Sequence, residues 1–526
     1  MPLQSARPGL DIPDIPLFDL IFGDLADADA ARPAIVDSGN ALTFGELRDQ
    51  VEAFAGALAH RGIGPGDVVA LHCPNSSTFA VAFHGILRAG ATCSTIAVLA
   101  TADDVARQLT ACGASMLLTT SSIGWAGPVG AGKAGLSEDA VIGLTGTHGI
   151  AEMIAEGHPA PDVRPGPDDV AVIPFSSGTT GAPKGVQLTH GNMVANVLQT
   201  ADALRDRMTA GTRVLTVLPY FHIYGMNTLL NHCLYRRATQ FTMSRFALPE
   251  FLYLIEKEAI SFVFIAPPIA VALAKHPFVD DYDVSSLDVV ISGAAALQND
   301  LARAVEDRIG CVVAQGFGMT ESSPVTHVRV GHDAPLDSIG RAVANTEYAI
   351  VDIADPALPE IPLPESGRSR AGELWVRGPQ VMKGYLNNAE ATAATLVDGW
   401  LRTGDIAEMD ADGNVYIVDR LKELIKYKGY QVPPAELEDV LLAHPDVADA
   451  ACIGHVRAAD AEEVPKAFIV LADGAEADAA GIMEFVADRV APYKRVRAVE
   501  FIDAIPKSAT GKILRRELKA RDRAGA

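Results

Sequence analysis

The residues best suited to chemistry in this sequence form one short segment, SSGTTGAPKG, at positions 176–185. Its three glycines allow the backbone to approach a ligand closely, so that several N–H groups can converge on phosphate oxygens. Hydroxyl side chains add hydrogen-bond donors, and a lysine adds positive charge. The segment therefore predicts a phosphate-binding loop. Its predicted ligands are Ser176, Ser177, Gly178, Thr179, Thr180 and Lys184.

The context of this loop separates it from a Walker loop. A Walker loop needs Gly-Lys followed by Ser or Thr and leads into a helix, whereas this segment is followed by the alternating residues 186–189, which predict a strand. A second glycine-rich segment at 127–133 ends in Lys133, but Ala134 replaces the hydroxyl that would bind magnesium. The alternative for 176–185 is a solvent-exposed Ser/Gly/Thr loop, which its length and its position between two strands disfavour.

The elements that position this loop alternate along the chain. Short runs rich in β-branched residues predict buried strands at 170–175, 214–217, 261–266 and 288–292. Between these runs, apolar residues recur at helical spacing. This alternation predicts an α/β fold with parallel-rich sheets covered by helices. After Gly340, short strands separated by glycine-rich turns predict a small antiparallel region.

A second domain is predicted to begin at Lys422, which divides the chain into domains at 1–421 and 422–526. Pro433 and Pro434 predict the first turn of a helix, followed by two strands and another helix. Basic residues outnumber acidic ones between 494 and 523. We expect a small, mobile α+β lid that carries a cation to a phosphate group, although a solvated basic helix would give the same pattern.

The bulk composition restricts the partners. A net charge of −23 disfavours binding to nucleic acid or to an anionic membrane surface. Six scattered cysteines indicate reduced, mostly buried thiols. The most apolar segment contains two prolines and is too short to span a bilayer, and we expect a cytoplasmic protein without an integral membrane segment. Both a monomer and a homodimer remain open.

The loop sequence SSGTTGAPKG resembles the signature loop of the adenylate-forming superfamily, which includes acyl-CoA synthetases, nonribosomal adenylation domains and firefly luciferase. Further segments match in the order of that family, and together they cover essentially the whole chain. These segments are LPYFH (218–222), SGAA (292–295), GFGMTE (316–321), WLRTGD (400–405), DRLK (419–422), KYKGYQ (426–431) and PKSATGK (506–512). Residues 266–269 and 420–437 most resemble 4-coumarate–CoA ligases. The resemblance implies an ATP-dependent acid–CoA ligase that uses Mg²⁺.

The resemblance also implies which residues bind the nucleotide. Asp405 would hold the ribose hydroxyls and Arg420 the ribose or a phosphate. Thr320 would donate to the α-phosphate and Glu321 would hold Mg²⁺, although a Thr-Glu pair alone could equally cap a helix. Residues implied to frame the adenine and acyl groups are Ala294, Gln315 and Gly316.

Two faces of the lid are implied to serve two half-reactions. Lys512 would stabilise charge during adenylate formation, and Lys422 would be the hinge. Arg245 lies where relatives often have a lysine for a CoA phosphate. The face implied for thioester formation carries Lys426, Lys428, Gly429 and Gln431.

The acid pocket is implied by position relative to 4-coumarate–CoA ligases. Its predicted wall consists of His222, Ile223, Tyr224, Thr228, Ile291, Ala294, Gly316, Pro324 and Val325. His222 would be a gate beside the acid carboxylate rather than an ordinary core histidine. Because most of these residues are apolar or small, we expect a cinnamate or 4-coumarate type of acid. The alternatives are a medium-chain fatty acid, an enzyme that stops at the adenylate, and an inactive nucleotide-binding scaffold.

Overall fold

The fold is that of a computed structural model, which describes residues 2–37, 39–145, 149–176, 183–295, 297, 299–330, 334–353, 360–427, 430–456, 463–508 and 511–525. Within these ranges, the side chains of Lys426, Tyr430 and Gln431 lie outside the description.

The strands, in chain order, are β1 (Leu3–Gln4), β2 (Pro33–Asp37), β3 (Asn40–Thr43), β4 (Val68–His72), β5 (Thr92–Thr95), β6 (Met116–Thr119), β7 (Val141–Gly143), β8 (Val170–Val172), β9 (Phe175–Ser176), β10 (Lys184–Thr189), β11 (Arg213–Thr216), β12 (Thr239–Thr242), β13 (Phe262–Ile265), β14 (Val289–Ser292), β15 (Val312–Gly318), β16 (Val325–Arg329), β17 (Arg341–Ala342), β18 (Glu347–Val351), β19 (Gly372–Arg377), β20 (Gly384–Tyr385), β21 (Leu396–Val397), β22 (Trp400–Met409), β23 (Val415–Arg420), β24 (Ile425–Tyr427), β25 (Tyr430–Val432), β26 (Val447–Val456), β27 (Glu463–Leu471) and β28 (Ala498–Phe501).

The α-helices are α1 (Leu17–Phe22), α2 (Asp27–Ala30), α3 (Phe44–His60), α4 (Ser77–Arg88), α5 (Ala102–Cys112), α6 (Ala126–Ala134), α7 (Ile150–Ala155), α8 (His190–Ala203), α9 (His232–Tyr235), α10 (Leu248–Glu258), α11 (Pro267–Lys275), α12 (Asn299–Ile309), α13 (Ala389–Thr395), α14 (Pro434–Leu442), α15 (Ala479–Ala487) and α16 (Arg515–Gly525). Single 3₁₀ turns and one π-helix supplement them. The 3₁₀ turns lie at Ser121–Ile123, Glu138–Ala140, Pro277–Asp281 and Thr320–Ser322, and the π-helix is Tyr224–Asn231.

A nine-stranded sheet has the order β17-β16-β15-β14-β13-β11-β12-β2-β3. The strands from β15 to β2 in this order are parallel, and antiparallel pairs flank them at both edges. Every residue of β13 and β14 is buried, as expected for strands with helices on both faces. The predicted strands at 214–217, 261–266 and 288–292 are confirmed as β11, β13 and β14.

An eight-stranded sheet, β20-β10-β8-β5-β4-β6-β7 with β9 on β10, holds the predicted phosphate loop. Its strands β8, β5, β4, β6 and β7 are parallel, while β10 is antiparallel to β8, β9 and β20. The strand predicted at 170–175 is divided into β8 and β9. Pro174 lies between them, and a proline has no N–H to donate to the ladder.

The small antiparallel region predicted after Gly340 is a six-stranded sheet of order β1-β18-β19-β22-β21, with β23 on β22. All of its pairs are antiparallel. Together with the two parallel-rich sheets, it confirms the predicted α/β class.

The C-terminal part is α+β, with the hairpin β24-β25, the sheet β26-β27-β28 and helices α14 to α16. It has its own core, in which Ile425, Leu437 and Ile482 are fully buried. Asp419, at the end of β23, accepts a hydrogen bond on Oδ2 from the N–H of Ala435 at 3.0 Å, in the first turn of α14. The division predicted between 421 and 422 falls between β23 and β24, and it stays a prediction.

Three further features bear on the sequence expectations. The glycine-rich segment 127–133 lies inside α6, where Lys133 Nζ is 2.7 Å from Asp103 Oδ1, so it is helical rather than a loop. All six cysteines are buried and free. Within the described ranges, no helix combines the length and the apolar character that a membrane crossing requires.

Candidate active site

A cavity of about 660 Å³ opens at the carboxyl ends of the parallel strands of the nine-stranded sheet. Phe264, Ile291 and Gly316, from the ends of β13, β14 and β15, line one side of it. Ligands of parallel α/β sheets bind at this edge because the loops that follow the strands converge there. The C-terminal part closes the cavity with Ser508 and Lys512.

The described ends of the predicted phosphate loop border this cavity. Ser176 ends β9 and Lys184 begins β10, and the two are paired across an antiparallel ladder. The strand pair therefore holds both ends of the loop at the cavity wall. The intervening predicted ligands Ser177, Gly178, Thr179 and Thr180 lie outside the described residues.

Glu321 lies beside the loop, in the 3₁₀ turn that follows β15. Its Oε1 atom accepts a hydrogen bond from the hydroxyl of Tyr385 at 2.8 Å and one from Ser176 Oγ at 3.4 Å. Among the described residues, Oε2 accepts none. A buried carboxylate with one oxygen left over, beside Ser176 at the start of the predicted phosphate loop, fits a Mg²⁺ ion, which prefers oxygen ligands and phosphate partners. Thr320, the preceding residue, also lines the cavity.

Asp405 and Arg420 pair across β22 and β23. Arg420 Nε lies 3.1 Å from Asp405 Oδ1, while Oδ2 is buried without a hydrogen-bond partner among the described residues. Burial raises the pKa of the Asp405 carboxyl, and the charges of Arg420 and Lys512 act against that rise. A buried acceptor without a partner is rare, so this oxygen fits a ligand hydroxyl such as those of a ribose.

Lys512 brings positive charge into the cavity from the C-terminal part. Burial, followed by the neighbouring charge of Arg420, lowers the pKa of Lys512 to about 8, and the carboxylates of Glu423 and Asp405 oppose this change. The adjacent Gly511 has φ of +79°, and a Cβ atom there would lie 3.0 Å from the ring of Pro268. The loop therefore packs tightly against the start of α11, and a side chain at 511 would require Pro268 to move.

His222 faces Lys512 from the acid side of the cavity. Burial, with the Lys512 charge as a second cause, lowers the pKa of His222 to about 4, so the ring is neutral near pH 7. Its Nδ1 atom accepts a hydrogen bond from the Tyr224 N–H at 3.3 Å. The neutral ring therefore carries its proton on Nε2, where it can donate to a ligand.

The predicted acid pocket is assembled as a unit, since all nine of its residues line the cavity. Tyr224 lies edge-on to Phe264, with ring centroids 6.2 Å apart, and its hydroxyl is 3.5 Å from the carbonyl oxygen of Ile291. A Cβ atom on Gly293 would lie 2.8 Å from the Tyr224 ring, so only glycine fits beside it. Tyr224 also begins the π-helix, an element that often occurs at functional sites.

The cavity continues beyond the predicted wall. Thr200, Ala203 and Leu204 of the α8 region line it, as do Phe264 and Val328. The first three recur at helical spacing, which predicts that they share a face of α8. Nothing in the sequence indicated which partner that face would meet, so these residues were missed.

Other predicted site residues lie apart from the cavity or outside the description. The side chain of Gln315 accepts from the Leu297 N–H at 2.8 Å and donates to the Ser338 carbonyl at 3.1 Å, and it does not line the cavity. Arg245 is exposed after β12 and does not line the cavity. Ala294 and the exposed Lys422 do line it.

The residues predicted for the second lid face belong to one hairpin. Lys426 and Gln431 are paired across β24 and β25, but their side chains lie outside the described part of the structure. Lys428 and Gly429, which connect the two strands, lie outside the described residues altogether. Their predicted roles stay predictions.

Comparison with known proteins identifies the family. A model described as AMP-binding enzyme matches residues 24–386, and one described as AMP-binding enzyme C-terminal domain matches residues 436–512. The 4-coumarate–CoA ligase 2 of Oryza sativa subsp. japonica is 40% identical over 545 residues, which span 98% of this chain and 94% of that protein.

Solved structures resemble the fold over nearly its whole length. The anthranilate CoA ligase AuaEII in complex with anthranoyl-AMP gives a TM-score of 0.89 at 25% identity, covering 98% of this chain and 99% of that one. ATP-bound MatB from Rhodopseudomonas palustris gives 0.87 at 26% identity, with 97% and 99% covered. The chain belongs to the AMP-binding enzyme family, as an AMP-forming acid–CoA ligase.

Proposed function

We propose that the enzyme activates an aryl carboxylic acid of the cinnamate or 4-coumarate type with ATP and transfers the acyl group to coenzyme A. One observation carries the proposal: Lys512 enters a cavity that is bordered both by the phosphate-loop ends and by the apolar acid pocket. A nucleotide, a carboxylic acid and a mobile positive charge would therefore meet in one place.

In the first step, a carboxylate oxygen of the acid attacks the α-phosphorus of ATP. The new oxygen–phosphorus bond forms as the bond to the pyrophosphate oxygen breaks. Both reactants are anionic, so catalysis is mainly positioning and charge stabilisation. The Lys512 ammonium stabilises charge on the phosphoryl oxygens, Thr320 donates to the α-phosphate, and His222 donates from Nε2 to the acid carboxylate.

The nucleotide is oriented by the groups around the phosphate loop. Asp405 Oδ2 accepts from a ribose hydroxyl, with Arg420 beside it. Ser176 and Lys184 hold phosphate oxygens at the loop ends. Glu321 would hold a Mg²⁺ ion, which would supply positive charge against the phosphates of ATP.

In the second step, the sulfur of coenzyme A attacks the acyl carbonyl carbon. The carbon–sulfur bond forms, the bond to the AMP oxygen breaks, and the thiol proton leaves to solvent. We propose that the lid, residues 422–526, turns about Lys422 between the steps and presents the hairpin that carries Lys426, Lys428, Gly429 and Gln431. Arg245 would then contact a phosphate of coenzyme A.

The acid is inferred from the pocket wall. Its residues are mostly apolar, so burial of an apolar tail contributes roughly 25 cal/mol per Å² to binding. The Tyr224 hydroxyl offers one hydrogen-bonding group, and Ile291 offers none where some 4-coumarate–CoA ligases place a lysine. We therefore expect weak discrimination between cinnamate and 4-coumarate, and a lower kcat/KM for the more polar caffeate.

A medium-chain fatty acid is the second candidate, because the cavity continues along α8. Thr200, Ala203, Leu204 and Val328 line a part of the same cavity that lies outside the predicted acid-pocket wall. A slim aliphatic tail could use this extension, whereas a cinnamate ring would leave part of it unfilled.

The deciding experiment compares kcat/KM for cinnamate, 4-coumarate, caffeate and octanoate in a pyrophosphate-release assay. Preference for octanoate over every aryl acid by about tenfold, equivalent to about 1.4 kcal/mol, would overturn the aryl assignment and leave the ligase chemistry intact. Measuring AMP release with and without coenzyme A identifies an enzyme that stops at the adenylate, because its AMP release would not depend on coenzyme A. Absence of acid-dependent pyrophosphate release with any acid would point to an inactive scaffold.

A further inference from the structure

Tyr385 occupies a position that no sequence motif used above had singled out. It lies in β20, the edge strand of the eight-stranded sheet, and is paired with Val186 of β10, two residues after Lys184. The Leu386 N–H donates to the Gly185 carbonyl at 2.8 Å, which fixes β20 against the end of the phosphate loop. Tyr385 is only 8% exposed, yet it lines the cavity.

Two functional groups of the site contact this one side chain. Its hydroxyl donates to Glu321 Oε1 at 2.8 Å, and the ammonium of Lys184 lies 4.8 Å from the centre of its ring. The tyrosine therefore joins the carboxylate proposed for Mg²⁺ to the lysine proposed for phosphate.

The hydrogen bond from Tyr385 determines which oxygen of the Glu321 carboxylate is left for a ligand. Tyr385 and Ser176 both donate to Oε1, and among the described residues Oε2 accepts no hydrogen bond. In this pair the Tyr385 hydroxyl is the donor and the Glu321 carboxylate oxygen the acceptor. The carboxylate is thus held with Oε2 available to a cation.

The ring contact with Lys184 acts in the same region. A lysine ammonium over a tyrosine face is attracted by the negative face of the ring, more strongly where water is excluded. Because the ring also limits the directions that the ammonium can take, it holds Lys184 near the loop before a nucleotide arrives.

We propose that Tyr385 is a positioning residue for adenylate formation, whose hydroxyl orients Glu321 toward the cation that accompanies ATP and whose ring holds Lys184 at the phosphate loop. The inference rests on the proposed roles of Glu321 and Lys184. Tyr385 itself transfers no proton and contacts no reacting atom.

The test uses Tyr385→Phe, which removes the hydroxyl and keeps the ring, and Tyr385→Leu, which removes both. Tyr348→Phe is the matched control, since the Tyr348 hydroxyl is likewise buried and donates to the Gly413 carbonyl at 2.9 Å, outside the cavity. ATP binding to each full-length variant is measured calorimetrically at a series of Mg²⁺ concentrations without acid, so that no turnover is required.

We expect Tyr385→Phe to raise the half-saturating Mg²⁺ concentration about tenfold, the loss of one hydrogen bond to a charged group. Tyr385→Leu should also weaken ATP binding at saturating Mg²⁺, because Lys184 loses its support. Thioester formation from supplied acyl-AMP and coenzyme A should change by less than about twofold in Tyr385→Phe, since that step uses neither Mg²⁺ nor pyrophosphate-side groups. An unchanged Mg²⁺ dependence in Tyr385→Phe would overturn the inference.

Glu321→Gln separates this inference from the function on which it rests. If Tyr385 acts through Glu321, the Tyr385→Phe change should have no further effect on Mg²⁺ dependence in the Glu321→Gln background. Additive effects of the two changes would refute positioning while leaving Glu321 as the cation ligand. If Glu321→Gln alone leaves the Mg²⁺ dependence unaltered, the proposed role of Glu321 fails and the inference fails with it.

Discussion

Lys512 provides the sharpest test of the proposed chemistry, because its charge state is set by the cavity that it enters. Burial and the charge of Arg420 lower the pKa of Lys512 to about 8. Only the protonated ammonium can stabilise the phosphoryl oxygens, so adenylate formation should slow as pH rises through 8. With a pKa of about 8, the protonated fraction falls from about 90% at pH 7 to about 10% at pH 9, a decline of about tenfold.

Two substitutions distinguish the effect of the positive charge at residue 512 from the effect of its deprotonation as the pH rises. Lys512→Ala removes the charge and should slow adenylate formation by ~100-fold or more, the usual effect of deleting a key charge-stabilising donor. Lys512→Arg keeps a charge that does not titrate below pH 12, so its rate should stay flat between pH 7 and 9 even if its geometry lowers the absolute value. His222, with a pKa of about 4, does not titrate in this range.

The assay must isolate the first half-reaction, since the thiol of coenzyme A also ionises increasingly as the pH rises. Acid-dependent pyrophosphate release is followed without coenzyme A, and thioester formation is followed separately from supplied acyl-AMP. Lys512→Ala should retain the second activity. Equal loss of both activities in a folded Lys512→Ala protein, or a wild-type rate that does not fall above pH 8, would refute the assignment of Lys512 to adenylation.

Two further predictions concern the hinge and the acid pocket. Lys422→Pro, which fixes φ near −65° and removes an N–H, should leave acyl-AMP formation normal and abolish thioester formation if the lid turns at this residue; unchanged overall turnover would exclude Lys422 as the pivot. Ala203→Phe should fill the extension along α8 and lower kcat/KM for octanoate about tenfold, some 1.4 kcal/mol, while cinnamate changes less than twofold; equal losses for both acids would show that the extension is not a separate tail site.

Prediction from the sequence reached furthest where the proposed chemistry depends on residues that are neighbours in the chain. The hydroxyls, glycines and lysine of 176–185 lie within ten residues, so their chemistry could be interpreted before any fold was known. The nine residues of the acid pocket were identified by position relative to 4-coumarate–CoA ligases, and all of them line the cavity. The buried parallel strands were predicted for a similar reason, since their β-branched runs are continuous.

Contacts between distant parts of the chain could not be predicted in this way. Tyr385 meets Glu321 and Lys184 only because β20 adds to the edge of β10, and a two-residue strand gives almost no periodic signal. Gln315 shows that a residue beside a recognised motif can also make contacts that only the fold reveals. The resemblance implied that Gln315 frames the adenine and acyl groups, which stays a prediction. Its amide group bonds to Leu297 and Ser338, and these contacts depend on two segments that only folding brings together.

The packing of Gly511 against Pro268 would shield the acyl-adenylate from water at the place where it is formed. An acyl-adenylate is a mixed anhydride that water can destroy, and exclusion of water from a closed site prevents such side reactions. Gly511, which lies against the start of α11, immediately precedes Lys512, so in this structure the Lys512 ammonium lines the cavity while this wall is closed. We therefore expect that a bulky side chain at 511 would let water hydrolyse part of the acyl-adenylate. The enzyme would then release more pyrophosphate than it forms thioester.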